Sequence, residues 1–333
     1  MRILLSCLLL LACIPGWSGE ARLGLLEQPG QMDVRRVALD PHDPSHRTLG
    51  ALTYLGGVAL TSRDPAFGGF SSLTVTGDRF TLLSDGGNVV QFAMGGDWRP
   101  HGIRFANLPA GPGIGWQKWD RDSESMAVDP RTGALWVGFE RYNQIWRYAP
   151  GFARAEGFVA PRAMKRWPIN GGPESLARMP DGRFVTISEE AKIRRTLWRG
   201  GEASRKTTRQ GLIFAGDPLR HRPRLFAYRV SPDYDVADAA ALPDGALIVV
   251  ERRFRLPVRF SNRIMLVPAE RIAPGRVVRG HLLAELDAPL IHDNFEGVAV
   301  TQEGGATILW LVSDDNQLPI ERSYLLKFRL DRR

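Results

Sequence analysis

Short apolar runs separated by turn residues and bounded by acids recur along this chain. Ser71-Ser72-Leu73-Thr74-Val75 leads to Ser84-Asp85, and Glu124-Ser125-Met126-Ala127-Val128 leads to Gly138-Phe139-Glu140-Arg141. Glu174-Ser175-Leu176-Ala177 leads to Ile187-Ser188-Glu189-Glu190, and Asp238-Ala239-Ala240-Ala241-Leu242 to Val250-Glu251-Arg252-Arg253. The fullest copy runs from Asp293-Asn294-Phe295-Glu296-Gly297-Val298-Ala299-Val300 to Trp310-Leu311-Val312-Ser313-Asp314-Asp315-Asn316. The runs are short and rich in Val, Leu, Ile and Phe, which favours strands over helices. Between paired runs lie Thr76-Gly77-Asp78, Asp129-Pro130-Arg131-Thr132-Gly133, Pro180-Asp181-Gly182, Pro243-Asp244-Gly245 and Glu303-Gly304-Gly305. Proline, aspartate and glycine supply the dihedrals of hairpin turns, so each unit reads strand, turn, strand.

The units open at residues 71, 124, 174, 238 and 296, spaced 53, 50, 64 and 58 residues apart. Periods near 50 with about four strands each predict an all-β β-propeller rather than a helical solenoid. Residues 49–60 read as one or two strands that supply the outer strand of the last blade, beside Tyr324-Leu325-Leu326-Lys327-Phe328-Arg329. A ring closed from both ends leaves no exposed edge. Five repeats are counted; the residues after Glu296 together with the leading stretch exceed one unit, which leaves five or six blades.

In an antiparallel hairpin the start of the first strand and the end of the second share one edge. The opening acids Glu124, Glu174, Asp238 and Glu296 are therefore expected on one rim with Asp85, Glu140, Glu189, Glu251, Asp314 and Asp315. The approach segments, which hold Trp116, Trp119, Tyr234 and His292, belong to the same rim. These rings either line a pocket for substrate or cap blade edges.

Composition changes the picture at two places. Met1-Arg2 is followed by residues 3–12, apolar except for Ser6, and then by Pro15-Gly16-Trp17-Ser18-Gly19-Glu20-Ala21. That is the pattern of a secretory leader over residues 1–21, which leaves residues 22–333 as a single domain in the periplasm or secreted. Leu10-Leu11-Ala12-Cys13 resembles a lipobox, in which Cys13 would be lipidated; cleavage near Ser18 or Ala21 is the other reading. Both cysteines, Cys7 and Cys13, lie in this leader, so the mature domain is expected to hold no disulfide and no thiolate metal site. The 44% of apolar residues suffices for packing between blades. The net charge of +8 sits almost wholly in residues 191–224, where ten Lys or Arg face only Glu202 and Asp217. This basic insertion lacks the recurring aromatics that stack bases, which argues against nucleic acid. It reads as a solvated loop or as a dock for an anionic membrane surface or phosphorylated ligand.

The Glu-(Ser/Gly)-apolar-Ala unit, Asp293-Asn294-Phe295-Glu296-Gly297 and Ser313-Asp314-Asp315-Asn316 resemble the phytase-like family, known as "esterase-like activity of phytase". The resemblance covers roughly residues 49–330. It implies an exported bacterial propeller with acids in hydrolytic or metal-binding roles: Glu124, Glu174 and Glu296 at the openings, Glu140, Glu251, Asp314 and Asp315 at the endings. Ser71-Ser72 and Asp238 depart from the pattern.

Converging carboxylates raise one another's pKa unless a cation neutralises them. Hard oxygen donors suit Ca²⁺ first, or Mg²⁺, with Asp314, Asp315 and Asn316 beside Glu296 as one set and Asp85, Glu140 and Glu251 as further ligands. Alternatively, arginines following the endings, Arg141 and Arg252, pair with the acids. A metal-assisted hydrolase of a phosphoester would use Glu296, Glu174 or Glu124 for proton transfer and Arg141 or Arg252 for charge stabilisation. Lactonase-like ester hydrolysis at calcium and a non-catalytic binding propeller are the other readings. A serine-esterase elbow, a His-Glu-x-x-His motif and a P-loop are all missing from the sequence. A monomer acting on a small molecule is expected. Each opening acid has a plain alternative role, accepting backbone N–H groups of the next blade.

Overall fold

The computed structural model describes residues 28–113, 120–193, 207–256, 259–316 and 321–331. Five antiparallel sheets form the five blades of a propeller, and helical residues are confined to short 3₁₀ turns among the described residues. The innermost strands are Phe70–Thr76, Ser123–Val128, Ser175–Arg178, Asp235–Ala241 and Asn294–Glu303. Each packs against the innermost strands of both neighbours, which closes the ring. Every first hairpin predicted from sequence is present, and Gly77, Gly133, Gly182 and Gly245 take the positive φ their turns require.

The ring is sealed in the fifth blade. Ser323–Leu330, the third strand, pairs antiparallel with Leu52–Thr61 from the beginning of the chain. The surplus that left the blade count open adds strands to existing blades. Asp33–Arg36 and Thr48–Leu49 extend the fifth sheet, and Gln28–Pro29 adds to the first. The leader residues 1–21 lie outside the described residues. So does part of the basic stretch, residues 194–206; within the remainder, Thr208–Phe214 is a regular strand of the third blade rather than a loop.

Blades pack through apolar layers, and polar pins cross the seams between them. Ser71 donates to the Ser123 carbonyl at 2.5 Å and Ser123 to the Ser84 carbonyl at 2.6 Å. Ser125 donates to the Pro173 carbonyl at 2.7 Å. Asn262 Nδ2 donates to the Phe295 carbonyl at 3.0 Å, and the Gly69 N–H donates to Asp315 Oδ1 at 3.0 Å. At one end of the axis the inner strands surround an open cavity of about 120 Å³, lined by Leu73, Thr74, Val75, Arg178, Ala240 and Val298. The strand openings lie at the other end.

Asp238 is one of these pins. It is buried between the fourth and fifth blades, where its Oδ2 accepts the Val298 N–H at 2.8 Å and its Oδ1 the Ala239 N–H at 2.7 Å. Burial pushes its carboxyl well above the usual carboxylate range, against the pull of those two N–H groups. Asp238→Ala should lower stability by about 1–3 kcal/mol, the cost of leaving buried donors without an acceptor. Urea unfolding of variant and wild type measures it.

Candidate functional site

Strand register fixes which side chains reach the mouth. In four blades the opening of the inner strand carries a β-bulge, so one residue is left without a cross-strand partner. These residues are Ser71, Glu124, Ala237 and Glu296. In the third blade the pairing starts at Ser175, which puts Glu174 in the equivalent place. Bulges re-aim a side chain; here Glu124 and Glu296 stand at such bulges, while Ser71 pins the seam to the second blade and Ala237 packs in an apolar layer. On the second strand, two positions past the partner of the residue that follows each opening (Leu83, Gly138, Ile187, Val250 and Val312), lie Asp85, Glu140, Glu189, Arg252 and Asp314. The mouth is thus an acidic ring in which the fourth blade alone contributes alanine and arginine.

Acids of the second and third blades meet at the mouth, and Arg252 links Glu296 to them. Carboxylate oxygens of Asp122, Glu124 and Glu140 all lie within 4.8 Å of one another, and so do those of Glu140, Glu174 and Glu189. Arg252 ties this group to the fifth blade. Its Nη2 donates to Glu189 Oε1 at 2.7 Å, and its Nη1 donates to Asn294 Oδ1 at 2.9 Å and to Glu296 Oε1. Asn294 Nδ2 also donates to Glu296 Oε1, at 2.9 Å. Glu140 has a second task, because its Oε1 accepts the N–H groups of Gly171 and of Gly172, the latter at 3.2 Å.

Burial, reinforced by Glu189, Glu124 and Glu140, pushes the Glu174 carboxyl well above the ordinary range, while Arg252 pulls it back. Burial also raises Glu189, against Arg252 and with Asp235. For Arg252 itself burial disfavours the charge, yet Glu189 and Glu174 outweigh it and hold the guanidinium above its usual value.

Several residues predicted for the site lie elsewhere. Glu251 is one residue out of phase with Arg252, and alternation along the strand sends it into the seam toward the third blade. There it accepts the Tyr228 hydroxyl at 2.7 Å and the Ser231 N–H at 3.1 Å. Asp238 is displaced for the same reason: Ala237 holds the opening position. Asp315 pins Gly69 and accepts the Ser323 hydroxyl at 2.8 Å, and Asn316 donates to Glu321 Oε2 at 2.7 Å. The set Asp314, Asp315 and Asn316 is therefore split, with only Asp314 in the ring. Asp85 keeps the ending position of the first blade beside Gly69. Arg141 is solvent-exposed on the turn after Phe139. His292 is half-buried and its Nδ1 lies 2.8 Å from the Leu290 carbonyl. Trp116 and Trp119 fall outside the described residues. Asp122 and Asn294 were visible as approach residues but received no role from the sequence, and Glu189 was placed on the rim without one. Register, not residue type, distinguishes them.

The family model for phytase-like proteins, described as esterase-like activity of phytase, matches residues 65–317, and the chain belongs to this family. No curated protein matches it. Among solved structures it is similar to the PQQ-bound aldose sugar dehydrogenase of Streptomyces coelicolor, at 13% identity and a TM-score of 0.45 over 90% of this chain and 99% of that one. It is also similar to Myxococcus xanthus glutaminyl cyclase, at 12% identity and 0.43 over 80% and 92%. Kuenenia stuttgartiensis hydrazine synthase gives 13% and 0.39 over 78% of this chain, which spans 60% of that one. At these scores the likeness carries no functional weight.

Glu174 and Glu189 are raised in the folded protein, so folding takes up protons. The stability they contribute is present at low pH and is lost as pH rises through the raised values. Removing Arg252 raises both further. Arg252→Gln should therefore cost about 3 kcal/mol near pH 8 and far less near pH 5, the deficit growing with pH. Urea unfolding at a series of pH values reads this; a deficit independent of pH would contradict it.

Proposed function

We propose that the acidic mouth holds a hard divalent cation, Ca²⁺ first, and that the chain hydrolyses a small phosphoester or ester there. One observation supports this above the others: two carboxylate triads, Asp122/Glu124/Glu140 and Glu140/Glu174/Glu189, share a member at the ring opening. The donors in both are carboxylate oxygens, the set that suits Ca²⁺ or Mg²⁺ and not a soft metal. Carboxylates held this close raise one another's pKa, and a cation among them would relieve that repulsion.

When bound, the cation would polarise a phosphoryl or carbonyl oxygen and acidify a water. The protein supplies the proton transfers. Glu174, whose carboxyl is pushed well above the ordinary range by burial and its acidic neighbours, would be the proton donor to a leaving oxygen. Glu296, fixed by hydrogen bonds from Arg252 and Asn294, is oriented to accept one. Glu124, at the bulge of the second blade, stands beside Glu174 as a second acceptor. Arg252 orients Glu189 and Glu296, and an anionic substrate would draw on its charge. His292 and the approach tryptophans Trp116 and Trp119 would contact the substrate.

The engagement of Arg252 by Glu189, Glu296 and Asn294 favours a second reading, a propeller that binds a ligand at the mouth without turning it over. The leader-like residues 1–21 and the basic residues 191–224 support export, to the periplasm or beyond, and contact with an anionic membrane surface.

Calcium titration with a chromogenic panel of phosphate monoester, phosphate diester and carboxylic ester separates the readings. Saturating Ca²⁺ should stabilise the fold by about 2.7 kcal/mol at a hundredfold excess over Kd. Turnover should vanish with chelator and return with Ca²⁺, and Glu174→Gln should lower kcat by about 10²–10⁴. Glu124→Gln should weaken the calcium-induced stabilisation. Chelator-sensitive melting with no turnover of any substrate would favour the binding propeller.

A further inference from the structure

A second polar cavity lies away from the acidic mouth, on the seam between the third and fourth blades. It measures about 490 Å³ and is lined by Ser231, Arg263, Met265, Arg271, Arg279, Gly280, His281 and Leu282. The connection between Arg259–Val267 and His281–Leu286 builds most of it. This connection leaves the fourth blade, adds Val277–Val278 in parallel to the edge of the third, and returns. Arg271 and Arg279 both project from this crossing segment into one concavity. Neither makes an ion pair among the described residues.

Arg263 is the fixed member of the group. Its guanidinium stacks on the buried Tyr234 ring at 4.5 Å, with Arg253 over the same ring at 4.6 Å. Its Nε lies 3.3 Å from Glu285 Oε1, and Glu285 also accepts the Tyr234 hydroxyl at 2.7 Å. No carboxylate lines the cavity. Two acids bind lining residues from behind, Glu285 at Arg263 and Glu251 at the Ser231 N–H, and Glu285 also accepts from Tyr234 and Glu251 from Tyr228. Gly280 keeps the floor open, since a Cβ there would stand 2.6 Å from Met265 Cβ. Leu282, 53% exposed, and Met265 form an apolar wall beside the cations.

From this we infer a second ligand site, for a small organic anion bearing a phosphoryl group. Guanidinium groups match the planar spacing of phosphate oxygens and bind them in a bidentate manner. Three of them with a histidine favour a dianion over a single carboxylate. The cavity is larger than inorganic phosphate needs, and the Met265 and Leu282 wall accepts an apolar group attached to it. The site shares no residue with the acidic mouth and stands whether or not the mouth hydrolyses anything.

Phenylphosphonate, which cannot be hydrolysed as an ester, is the probe. Calorimetric titration of the full chain in excess chelator removes any cation-dependent binding at the mouth. Binding should be detectable with a Kd below about 10 mM, weaken with added salt, and exceed that of inorganic phosphate several-fold. Arg271→Gln with Arg279→Gln should weaken it at least about tenfold, while Glu124→Gln leaves it unchanged. Both arginines are exposed, so the double variant should fold, and its unfolding curve verifies this. Absence of binding, binding unchanged in the double variant, or equal binding of inorganic phosphate would overturn the assignment.

Discussion

The Arg252 guanidinium ties acids of two blades together across the ring. Arg252 reaches across the mouth to acids of the third and fifth blades, and without it these carboxylates would face one another in a half-dry space. Because the charge is buried, its pairing is strong, and so is the penalty for failing to pair it. The fourth blade is the one place where both mouth positions depart from the acidic pattern. Ala237 packs into the apolar layer there, and Arg252 reaches out to Glu189, Asn294 and Glu296. The asymmetry divides the mouth: acids of the second and third blades cluster in triads, and those of the fifth are tied to arginine.

Blade architecture was legible in the sequence because hairpin turns and apolar runs are local signals. The terminal seal was legible too, since an unpaired strand at each end of a ring has only one economical partner. Phase was not. In Ala237-Asp238-Ala239-Ala240-Ala241 small residues occupy both faces of the strand, so nothing in their sizes marks which carboxylate or alanine faces the axis. A bulge shifts the count by one, and a shift of one reverses every side chain after it. Asp238 and Glu251 were assigned to the mouth for that reason, and both proved to be seam residues. A clear contrast flanks the opening in Asn294-Phe295-Glu296-Gly297, where Phe295 is buried and Glu296 is held by Arg252 and Asn294.

The same carboxylates serve both structure and the candidate chemistry. Glu140 belongs to both triads and also holds the approach to the third blade through Gly171 and Gly172. Asp238, Glu251 and Asp315 are wholly committed to the seams. An acid on a propeller rim is therefore not evidence of a reactive group until its register is known. The cationic cavity between the third and fourth blades obeys the opposite sign and is built by a crossing segment rather than by the repeat. Its signal lay in an irregular connection that no period describes.

The seal in the fifth blade has a temporal meaning. Leu60 faces Ser323, so the strand Leu52–Thr61 must wait for nearly the whole polypeptide before its neighbour exists. Such distant pairing imposes a large loss of chain entropy before any contact rewards it. The four intervening blades can assemble hairpin by hairpin from nearby residues, but the circle cannot lock until the two ends meet. Until that meeting, the edge of Leu52–Thr61 that Ser323–Leu330 covers has no neighbour.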